Sequence, residues 1–556
     1  MPNERTDRRA RLFFGTLPLC AGSALWLLGA CGSSGSSSND AGGSSATGGS
    51  SATGGSSATG GSSATGGSSA TGGSSAAGGS SATGGSSATG GSSATGGSSG
   101  TTAGASTGGT TSGDDAFSVN VSTSSAIPTV GIVTWSIGKS IDSAYIEFGR
   151  DPTAFEYKAP VDLAEPMYRT LLLGMKPAKT YSLRITASGG GQTYTSKVYT
   201  VMTGYLPNGL PTFTVTDHDA ASLYAGGGFT VNCTGLALST GGIPGVGGPA
   251  PGGTGAGSQS YAFVFDKDGD VVWAYELTNT AVAGCSRARM SLDGNYLWAA
   301  NFNNASTMGA AMRVGMDGLG DPTTINIRAR NHDLAFLPNG HLLYWEQQNG
   351  GGYTNGKEGP DTIREMDPDT MAVTDIYDEM TDFADQINNS QGSHTNQINY
   401  IPELKAISFS MRHTSTVALI SYPDVKLLAV FGGPITTFPN MDWTIQHGHD
   451  VHADHLWVFN NQATSGSSAV LGFDYDITSK TATPTLTYNS GVSSGAFGDV
   501  KEQPNGNLYV TYSTAGVFHE ITQAGTLLRE VKTSASCGYS EHRAALYGAP
   551  PPYATP

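Results

Sequence analysis

A short turn followed by an apolar strand recurs along residues 206–550. The four clearest copies are Asp268-Gly269 before 271–273, Asp293-Gly294 before 296–298, Asn339-Gly340 before 342–344, and Asn505-Gly506 before 508–510. Asp-Gly and Asn-Gly pairs are typical of hairpin turns, which need positive φ values. Degenerate copies near 402–404 and 453–455 bring the number to six, and apart from the close first pair the spacing is roughly 50 residues. This repeat predicts an all-β fold, with a six-bladed β-propeller whose inner strands line a central funnel.

The N-terminus has the features of an export signal. The basic residues Arg5, Arg8, Arg9 and Arg11 precede an apolar run over 12–28, and Leu28-Gly29-Ala30-Cys31 closes it. That ending resembles a bacterial lipobox, in which the cysteine is acylated; an ordinary signal peptide is the alternative. We therefore predict a lipoprotein signal peptide over 1–30 and a lipid on Cys31. The protein is then exported and anchored to a bacterial membrane, on the periplasmic side or at the cell surface.

Residues 31–115 are dominated by repeats of Ser-Ser-Ala-Thr-Gly-Gly, with almost nothing apolar. Such a segment cannot bury enough surface to offset the entropy of ordering it, so we predict a disordered linker. The formal net charge of -16 argues against binding to nucleic acid and against electrostatic attachment to anionic lipid. An anionic substrate must therefore be attracted by a local site.

Residues 116–205 have the pattern of a small β-sandwich that precedes the propeller. Val133, Trp135 and Ile137 alternate on one predicted strand, and a turn near 172–177 leads into a strand that opens with Tyr181. A tyrosine at that corner, with an inward tryptophan, resembles fibronectin type III domains. No reactive groups cluster here, so we interpret this part as a spacer or brace.

The cysteines point to one disulfide. Cys20 leaves with the signal peptide and Cys31 carries the lipid, which leaves Cys233, Cys285 and Cys537. Three thiols permit one bridge and one free cysteine, and Cys233–Cys285 is the pair we expect, although the sequence does not fix it. None of the three lies in a Cys-x-x-Cys motif or near the histidines. We therefore expect no metal-binding or nucleophilic cysteine.

Histidines are concentrated in one part of the chain. Eight of the eleven lie between His332 and His455. His332, His394 and His447 each lie just before a copy of the turn-and-strand repeat, and Arg412 follows the second of them. Equivalent positions in successive blades point into the same funnel, so we predict that these side chains meet in one site.

The residues around these histidines resemble the bacterial aryl sulfotransferases that use no nucleotide sulfate donor. The matching patterns are His332-Asp333 before Leu337-Pro338-Asn339-Gly340, His394-x-Asn396-x-Ile398-x-Tyr400 with Ser410-x-Arg412-His413, and Gln446-His447 before Phe459-x-Asn461. The resemblance covers most of 206–550. It implies a six-bladed propeller with an N-terminal β-sandwich. It also implies ping-pong transfer of a sulfuryl group from a phenolic sulfate donor to a phenol acceptor, with no cofactor and no metal.

The same resemblance implies a role for each site residue. The nucleophile falls on His447, which becomes a sulfohistidine, and the sulfate-binding arginine on Arg412. The other active-site histidines fall on His332 and His394, and acid and base are not assigned between them. A shift of two residues in the histidine-rich segment makes His449 the alternative nucleophile. A neutral imidazole suits the attack on a sulfur shielded by anionic oxygens, and an arginine offers two parallel donors to those oxygens.

Two other functions compete with this hypothesis. The tract His447-x-His449-x2-His452-x2-His455, with Asp450 or Asp454, has the ligands of a zinc or copper site for ester hydrolysis. The other alternative is a non-catalytic binding propeller on a lipid-anchored stalk, because fold alone does not define function. A metal site explains neither Arg412 nor the distant His332 and His394. The natural donor, the acceptor and the oligomeric state are left open by the sequence.

Overall fold

A computed structural model describes residues 116–225, 228–234, 259–301, 309–327, 332–348, 359–462 and 466–550, and the backbone at 353–354 and 357–358. The predicted signal peptide, the lipidated Cys31 and the linker lie outside these residues. The prediction of an all-β protein is confirmed. Strands dominate the described part, which contains a single α-helix, α1 (Met380–Asn389), and a few short 3-10 turns. No helix in this part has the length and apolar character needed to cross a membrane.

Two antiparallel sheets at the N-terminal end share one hydrophobic core. Their strands are β1 (Phe117–Thr123), β2 (Gly131–Ile137), β3 (Ser143–Gly149), β4 (Tyr157–Pro160), β5 (Thr170–Leu172), β6 (Thr180–Gly189), β7 (Gln192–Thr195) and β8 (Tyr199–Met202). One sheet has the order β1-β2-β5, and the other has β4-β3-β6-β7 with β8 also on β6. Trp135 from the first sheet packs in the same core as Phe148 and Ile185 from the second. The hydroxyl of Tyr181 accepts a hydrogen bond from the backbone N–H of Lys176 at 2.8 Å, which ties down the turn before β6.

The rest of the described chain forms short strands connected by turns. They are β9 (Phe213–Asp217), β10 (Phe229–Cys233), β11 (Tyr261–Asp266), β12 (Val271–Glu276), β13 (Cys285–Met290), β14 (Tyr296–Asn301), β15 (Gly309–Gly315), β16 (Thr323–Ile327), β17 (Leu334–Phe336), β18 (Leu342–Gln347), β19 (Tyr353–Thr354), β20 (Lys357–Glu358), β21 (Asp361–Met366), β22 (Val373–Asp378), β23 (Thr395–Ile401), β24 (Ala406–Met411), β25 (Thr416–Ser421), β26 (Leu427–Phe431), β27 (Gln446–Val451), β28 (His455–Asn460), β29 (Ala469–Asp476), β30 (Thr481–Tyr488), β31 (Asp499–Glu502), β32 (Leu508–Tyr512), β33 (Val517–Ile521), β34 (Leu527–Thr533) and β35 (Glu541–Arg543).

Apart from the β19–β20 hairpin, these strands form six antiparallel sheets in the described part of the chain. Three sheets use four consecutive strands each, namely β13 to β16, β23 to β26 and β27 to β30, and a fourth uses β17-β18-β21-β22, with the β19–β20 hairpin inserted between β18 and β21. The first and last sheets connect the two ends of this region. The late strand β35 pairs with β10 in the first sheet, and the early strand β9 pairs with β34 in the last.

Six apolar clusters lie between consecutive sheets. Trp298 of the second sheet and Tyr344 of the third share one cluster, and Trp345 of the third and Phe409 of the fourth share another. Similar clusters join the first sheet to the second, the fourth to the fifth, and the fifth to the sixth. The sixth sheet packs against the first through Phe518 and its neighbours. Each sheet therefore buries both of its faces against its neighbours in the chain, and the last packs on the first.

A buried ionic network joins the first strands of several sheets. Arg287 in β13 donates from Nε to Asp333 at 2.5 Å and from Nη2 to Asp499 at 3.2 Å. Its Nη1 donates to the carbonyl oxygen of Ser540 at 2.7 Å, directly before β35. All three charged side chains are at most 2% exposed. Although burial opposes the charge, Arg287 and Arg289 hold the pKa of Asp333 below its usual value.

The same network extends to the two remaining sheets. Gln397 in β23 donates to Asp499 at 2.8 Å, and its amide oxygen accepts a hydrogen bond from the backbone N–H of His449 in β27. Side chains and backbone in or directly before strands of all six sheets thus meet in one buried network. Removing one partner from such a network leaves an uncompensated buried charge, at a cost of about 3–5 kcal/mol.

Candidate active site

Three histidines from three different sheets meet in the structure. His332 lies two residues before β17, His394 directly precedes β23, and His447 is the second residue of β27. The ring centroids of His332 and His394 are 4.9 Å apart, and those of His332 and His447 are 6.1 Å apart. The structure thus brings together the three imidazoles that the repeat pattern placed at equivalent positions.

The backbone turns sharply where His394 enters its strand. His394 has a φ of 50°, and the register of β23 against β24 shifts between Thr395 and Gln397. The backbone N–H of Thr395 donates to Asp361 at 3.3 Å, and its hydroxyl donates to Glu379. A positive φ outside glycine is sparsely populated and persists only where the surroundings enforce it. Asp361 and Glu379 therefore act as positioning residues for His394.

A second bulge presents His447. The register of β27 against β28 shifts between Gln446 and His449, so two residues of β27 lie opposite one of β28. Glycine is required at position 448, because a Cβ there would lie 2.4 Å from the Cα of Asp499. Bulges redirect side chains and are frequent next to active sites. Here the bulge gives the rings of His447 and His449 different surroundings.

Asn461 fixes the tautomer of His447. The amide nitrogen of Asn461 donates to the carbonyl oxygens of Ser494 and Phe497 at 2.8 and 2.6 Å. Its amide oxygen therefore faces Nδ1 of His447, at 2.7 Å. An amide oxygen can only accept, so Nδ1 must carry the ring hydrogen. Nε2 then keeps its lone pair, as an imidazole nucleophile requires.

The surroundings of His447 also favour its neutral form. Burial, followed by the positive charges of Arg412 and His332, lowers the pKa of His447 well below its usual value. The side chain is only 2% exposed, and burial and like charge both disfavour a second proton. His447 is therefore neutral at pH 7 and stays neutral in mildly acidic solution.

Arg412 lies beside this group of imidazoles. It directly follows β24, and its backbone N–H donates to the carbonyl oxygen of His394 at 3.1 Å. The ring of His413 packs against His394, with centroids 4.8 Å apart. Arg412 and His394 are partly exposed, whereas His332 and His447 are buried. Solvent therefore reaches the four side chains from the side of Arg412 and His394.

Two aromatic residues that the sequence did not indicate complete the surroundings. The ring of Phe497 lies 5.3 Å from His332 and 5.8 Å from His447, and Tyr539 lies 6.5 Å from His447. The hydroxyl of Tyr539 donates to the carbonyl oxygen of Asn396 at 3.0 Å. Both residues lie outside the turn-and-strand repeat, so the repeat did not identify them as site residues. Asn461, in contrast, belongs to a motif that the sequence analysis quoted without giving it a role.

His449, the alternative nucleophile, lies in a separate environment. It is fully buried, and its Nε2 lies 2.9 Å from the hydroxyl oxygen of Ser408. Burial, followed by the charge of Lys501, lowers its pKa to about 3. None of the described ring contacts joins it to His332, His394 or His447. Among the described residues, the ring of His449 is therefore not part of the imidazole cluster.

The histidine tract from His447 to His455 does not converge on one metal site. His452 and His455 stack on each other at the far end of β27, with ring centroids 4.3 Å apart. His452 pairs with Asp450 and Glu403, and His455 pairs with Asp454 and Glu502. The tract is therefore divided among three environments, which disfavours the predicted metal-dependent hydrolase built from all four imidazoles.

The cysteines lie away from the imidazoles. Cys233 and Cys285 form a disulfide between β10 and β13, which connects the first two sheets. Cys537 is a free, buried thiol, and burial raises its pKa to about 12. A thiol in that environment is a poor nucleophile.

A comparison with protein-family models identifies the family of this chain. Residues 252–541, more than half of the chain, match the protein family described as arylsulfotransferase (ASST). A comparison with the curated proteins gives no match.

Similarity to solved structures is weak. A streptogramin B lyase is 14% identical, with 60% of this chain and 98% of that chain covered and a TM-score of 0.35. An inactive virginiamycin B lyase from Staphylococcus aureus is 13% identical, with coverages of 58% and 99% and a TM-score of 0.33. The hydrazine synthase of Kuenenia stuttgartiensis is 13% identical, with coverages of 43% and 62% and a TM-score of 0.29. Scores this low carry no argument about function.

Proposed function

Because the chain belongs to the arylsulfotransferase family, we propose that it transfers a sulfuryl group from a phenolic sulfate ester to a phenolic acceptor through a covalent intermediate on His447. The observation that carries the mechanism is the hydrogen bond from His447 Nδ1 to Asn461, which leaves Nε2 as the free nucleophile. Arg412 supplies the positive charge that an aryl sulfate needs in a protein whose net charge is -16.

In the first half-reaction, Nε2 of His447 attacks the sulfur of the donor. The N–S bond forms as the S–O bond to the phenol breaks, and the electron pair of that bond leaves with the phenol oxygen. His332 or His394 donates a proton to this oxygen, since both imidazoles lie beside His447. Positive charge develops on the imidazole ring of His447 as it becomes sulfated. The amide oxygen of Asn461 stabilises this charge, because it accepts the hydrogen bond from Nδ1–H.

In the second half-reaction, the acceptor phenol replaces the departed one. Its hydroxyl proton passes to the imidazole that donated in the first half. The phenol oxygen attacks sulfur, the N–S bond breaks, and His447 regains its lone pair. Arg412 binds sulfuryl oxygens in both steps with its planar pair of donors. Two displacements at sulfur, connected by the covalent intermediate on His447, thus replace a single difficult transfer.

We also infer that the six sheets are the blades of a β-propeller, with the N-terminal pair of sheets as a fibronectin type III-like brace. The six apolar clusters between consecutive sheets and the network around Arg287 support this arrangement. The sequence over 1–31 supports export and a lipid anchor on Cys31. Labelled fatty acid that is incorporated by the parent protein and not by Cys31→Ser would test the anchor.

The transfer reaction is tested with the purified protein and p-nitrophenyl sulfate in the presence of EDTA. We expect nitrophenolate release that rises strongly with added phenol, together with formation of phenyl sulfate. After brief exposure to donor alone, digestion and mass spectrometry should find the sulfuryl group on the peptide that contains His447.

Two results would contradict the proposal. Release that is indifferent to phenol, with free sulfate as the product, would indicate a hydrolase. A sulfuryl group found on a peptide lacking His447 would reassign the nucleophile. If nitrophenyl sulfate is not consumed, the same labelling experiment with a panel of aryl sulfates decides between a different donor and a binding protein.

A further inference from the structure

A second group of histidines lies at the other end of β27 from His447. His452 and His455 occupy the turn into β28 and its first residue, and Glu502 ends β31 in the next sheet. One ring nitrogen of each histidine and one oxygen of Glu502 all lie within 4.8 Å of one another. We propose that these three side chains bind one divalent transition-metal ion, with Zn2+ as the best fit.

The ligand types select this class of ion. Two imidazoles and one carboxylate suit zinc and its neighbours among the transition metals, whereas calcium and magnesium prefer oxygen ligands alone. The two rings are nearly parallel, with an interplanar angle of 9°. His455 Nε2 lies 2.8 Å from Glu502 Oε2, so an ion bound to both replaces this hydrogen bond, and the stacked rings must turn out of parallel to direct a nitrogen of each at the same ion. Three protein ligands leave a fourth position for water.

Each proposed ligand has an outer partner of the kind that metal sites use. Asp454 faces Nδ1 of His455 at 2.7 Å, and the indole N–H of Trp457 donates to Glu502 at 2.8 Å. Asp450 lies 3.2 Å from Nε2 of His452. Carboxylates behind ligating imidazoles fix ring orientation and increase ligand basicity. This is a more complete arrangement than three ligand atoms meeting by chance on a surface.

Charge also favours a dication here. Four carboxylates surround the two rings, namely those of Glu403, Asp450, Asp454 and Glu502, and one ammonium, that of Lys501, lies 3.3 Å from Asp450. Imidazoles bind a metal ion in their neutral form, so a proton on either ring must leave first; four negative charges and one positive charge then leave a local excess of three negative charges. A bound dication reduces that excess to one.

The other cluster of acidic groups in the described residues shows what a satisfied site looks like. Asp266, Asp268 and Asp270 also bring carboxylate oxygens together. The ammonium of Lys176 lies 3.1, 2.7 and 2.6 Å from these three carboxylates, so a protein cation already occupies their centre. No lysine or arginine nitrogen within ion-pair distance of His455 or Glu502 takes this place among the described residues.

The proposed ion would be separate from the sulfuryl site. His447 and His452 are five residues apart along an extended strand, which corresponds to about 16 Å. The ion would join the β27–β30 sheet to the β31–β34 sheet through Glu502. Because it binds the folded state, it should raise the melting temperature with increasing zinc concentration.

Zinc binding by the chelator-treated full-length protein tests the inference directly. We expect one equivalent of Zn2+ in competition with a chromogenic chelator, and a visible spectrum typical of a four-coordinate site when Co2+ is used. His455→Ala should weaken zinc binding by more than about a hundredfold, and Asp454→Asn by about tenfold, as for ligands and their outer partners. His341→Ala is the matched control, because His341 lies 2.6 Å from Glu365 in a comparable His–Glu pair without a second imidazole.

Folding of each variant is checked by circular dichroism and melting without metal. Should His455→Ala fail to fold, Glu502→Gln and Asp454→Asn decide the question, since both keep the size of the side chain. Unchanged zinc binding in the folded variants would overturn the inference. Loss of zinc binding in His447→Ala instead would place the ion among the active-site imidazoles. The inference does not depend on sulfuryl transfer, so either proposal can fail alone.

Discussion

Histidines lie at the start of strand β27 and in the turn that follows its end, and the two groups experience opposite surroundings. At its start, His447 is buried among other imidazoles, and its hydrogen-bond partner is the neutral amide of Asn461. At its far end, His455 contacts the carboxylates of Asp454 and Glu502. Burial lowers the pKa of His447 well below its usual value. Although burial acts in the same direction on His455, the two carboxylates raise its pKa to about 9.

The difference shows that residue type alone does not decide the chemistry of a histidine. A buried imidazole with a neutral partner on one nitrogen is a poor base and keeps an available lone pair on the other. An imidazole between carboxylates attracts cations, either a proton or a metal ion. The β27–β28 hairpin thus presents a nucleophile at the start of β27 and a cation-binding group at its turn.

Replacement of the nucleophile should have the largest effect. His447→Asn removes the nitrogen that forms the covalent intermediate, so transfer should fall by more than about a thousandfold, the scale seen when a nucleophile is deleted. The same substitution at His449 should cost less than about tenfold, because that ring lies outside the imidazole cluster. Initial rates of nitrophenolate release with saturating phenol measure both. Equal losses, or a larger loss at position 449, would remove the distinction between the two histidines.

Loss of the guanidinium should have the next largest effect. Arg412→Ala should lower kcat/KM for the aryl sulfate by about a hundredfold, since it removes donors to charge that develops on the sulfuryl oxygens. Arg313→Ala is the control, because Arg313 pairs with the exposed Asp369 on another sheet. Full activity in Arg412→Ala would show that sulfate binding does not depend on this side chain.

A smaller and pH-dependent effect should follow from a change at Asn461. The active form of His447 is neutral, and its lowered pKa keeps it neutral well into acidic solution. Asn461→Asp places a carboxylate against Nδ1, which stabilises the protonated ring and raises the pKa. The acid limb of the rate profile should therefore move to higher pH, with activity lost at pH 5–6 by about tenfold per unit of pKa shift and largely kept near pH 8.

The pH profile of Asn460→Asp provides the comparison for that measurement. Asn460 is adjacent in sequence, but its amide oxygen accepts a hydrogen bond from the backbone N–H of Thr444, whereas the ring of His447 is hydrogen-bonded to Asn461. Its acid limb should coincide with that of the parent protein. A parallel shift in both variants would attribute the change to net charge and not to the hydrogen bond with His447.

Much of the fold follows from local sequence rules. The Asp-Gly and Asn-Gly turns at 268–269 and 339–340 connect strands as predicted, and their glycines have positive φ, which few other residues tolerate. Apolar alternation likewise predicted that Trp135 faces a core. The joining of the chain ends, through β35 on β10 and β9 on β34, was not predicted. Pairing between strands so distant in sequence has no local signal.

The site was predictable only where a repeat marked it. His332, His394 and His447 share a position relative to a turn, so the sequence identified them together. Phe497 and Asn461 reach the site through a loop and a strand end, where contact depends on tertiary packing. The rings of His447 and His449 lie in different environments because of a bulge between β27 and β28. From the sequence alone, two histidines two residues apart on a strand are expected on the same face, so the bulge was not predicted.

The smallest expected effect is that of metal removal on transfer. The ends of β27 are about 16 Å apart, and energetic effects at sites this distant usually add independently within 0.3–0.5 kcal/mol. Sulfuryl transfer by chelator-treated protein should therefore agree with that of zinc-loaded protein within about twofold, the rate equivalent of that energy. Melting temperatures of the same two samples serve as the control, because zinc should raise them. A large loss of transfer in EDTA that zinc restores would mean that the two histidine groups act as one metal-dependent site. In that case the His447 group and the His455 group would not have separate roles. Equal transfer rates with and without zinc, together with a higher melting temperature with zinc, would establish that they do.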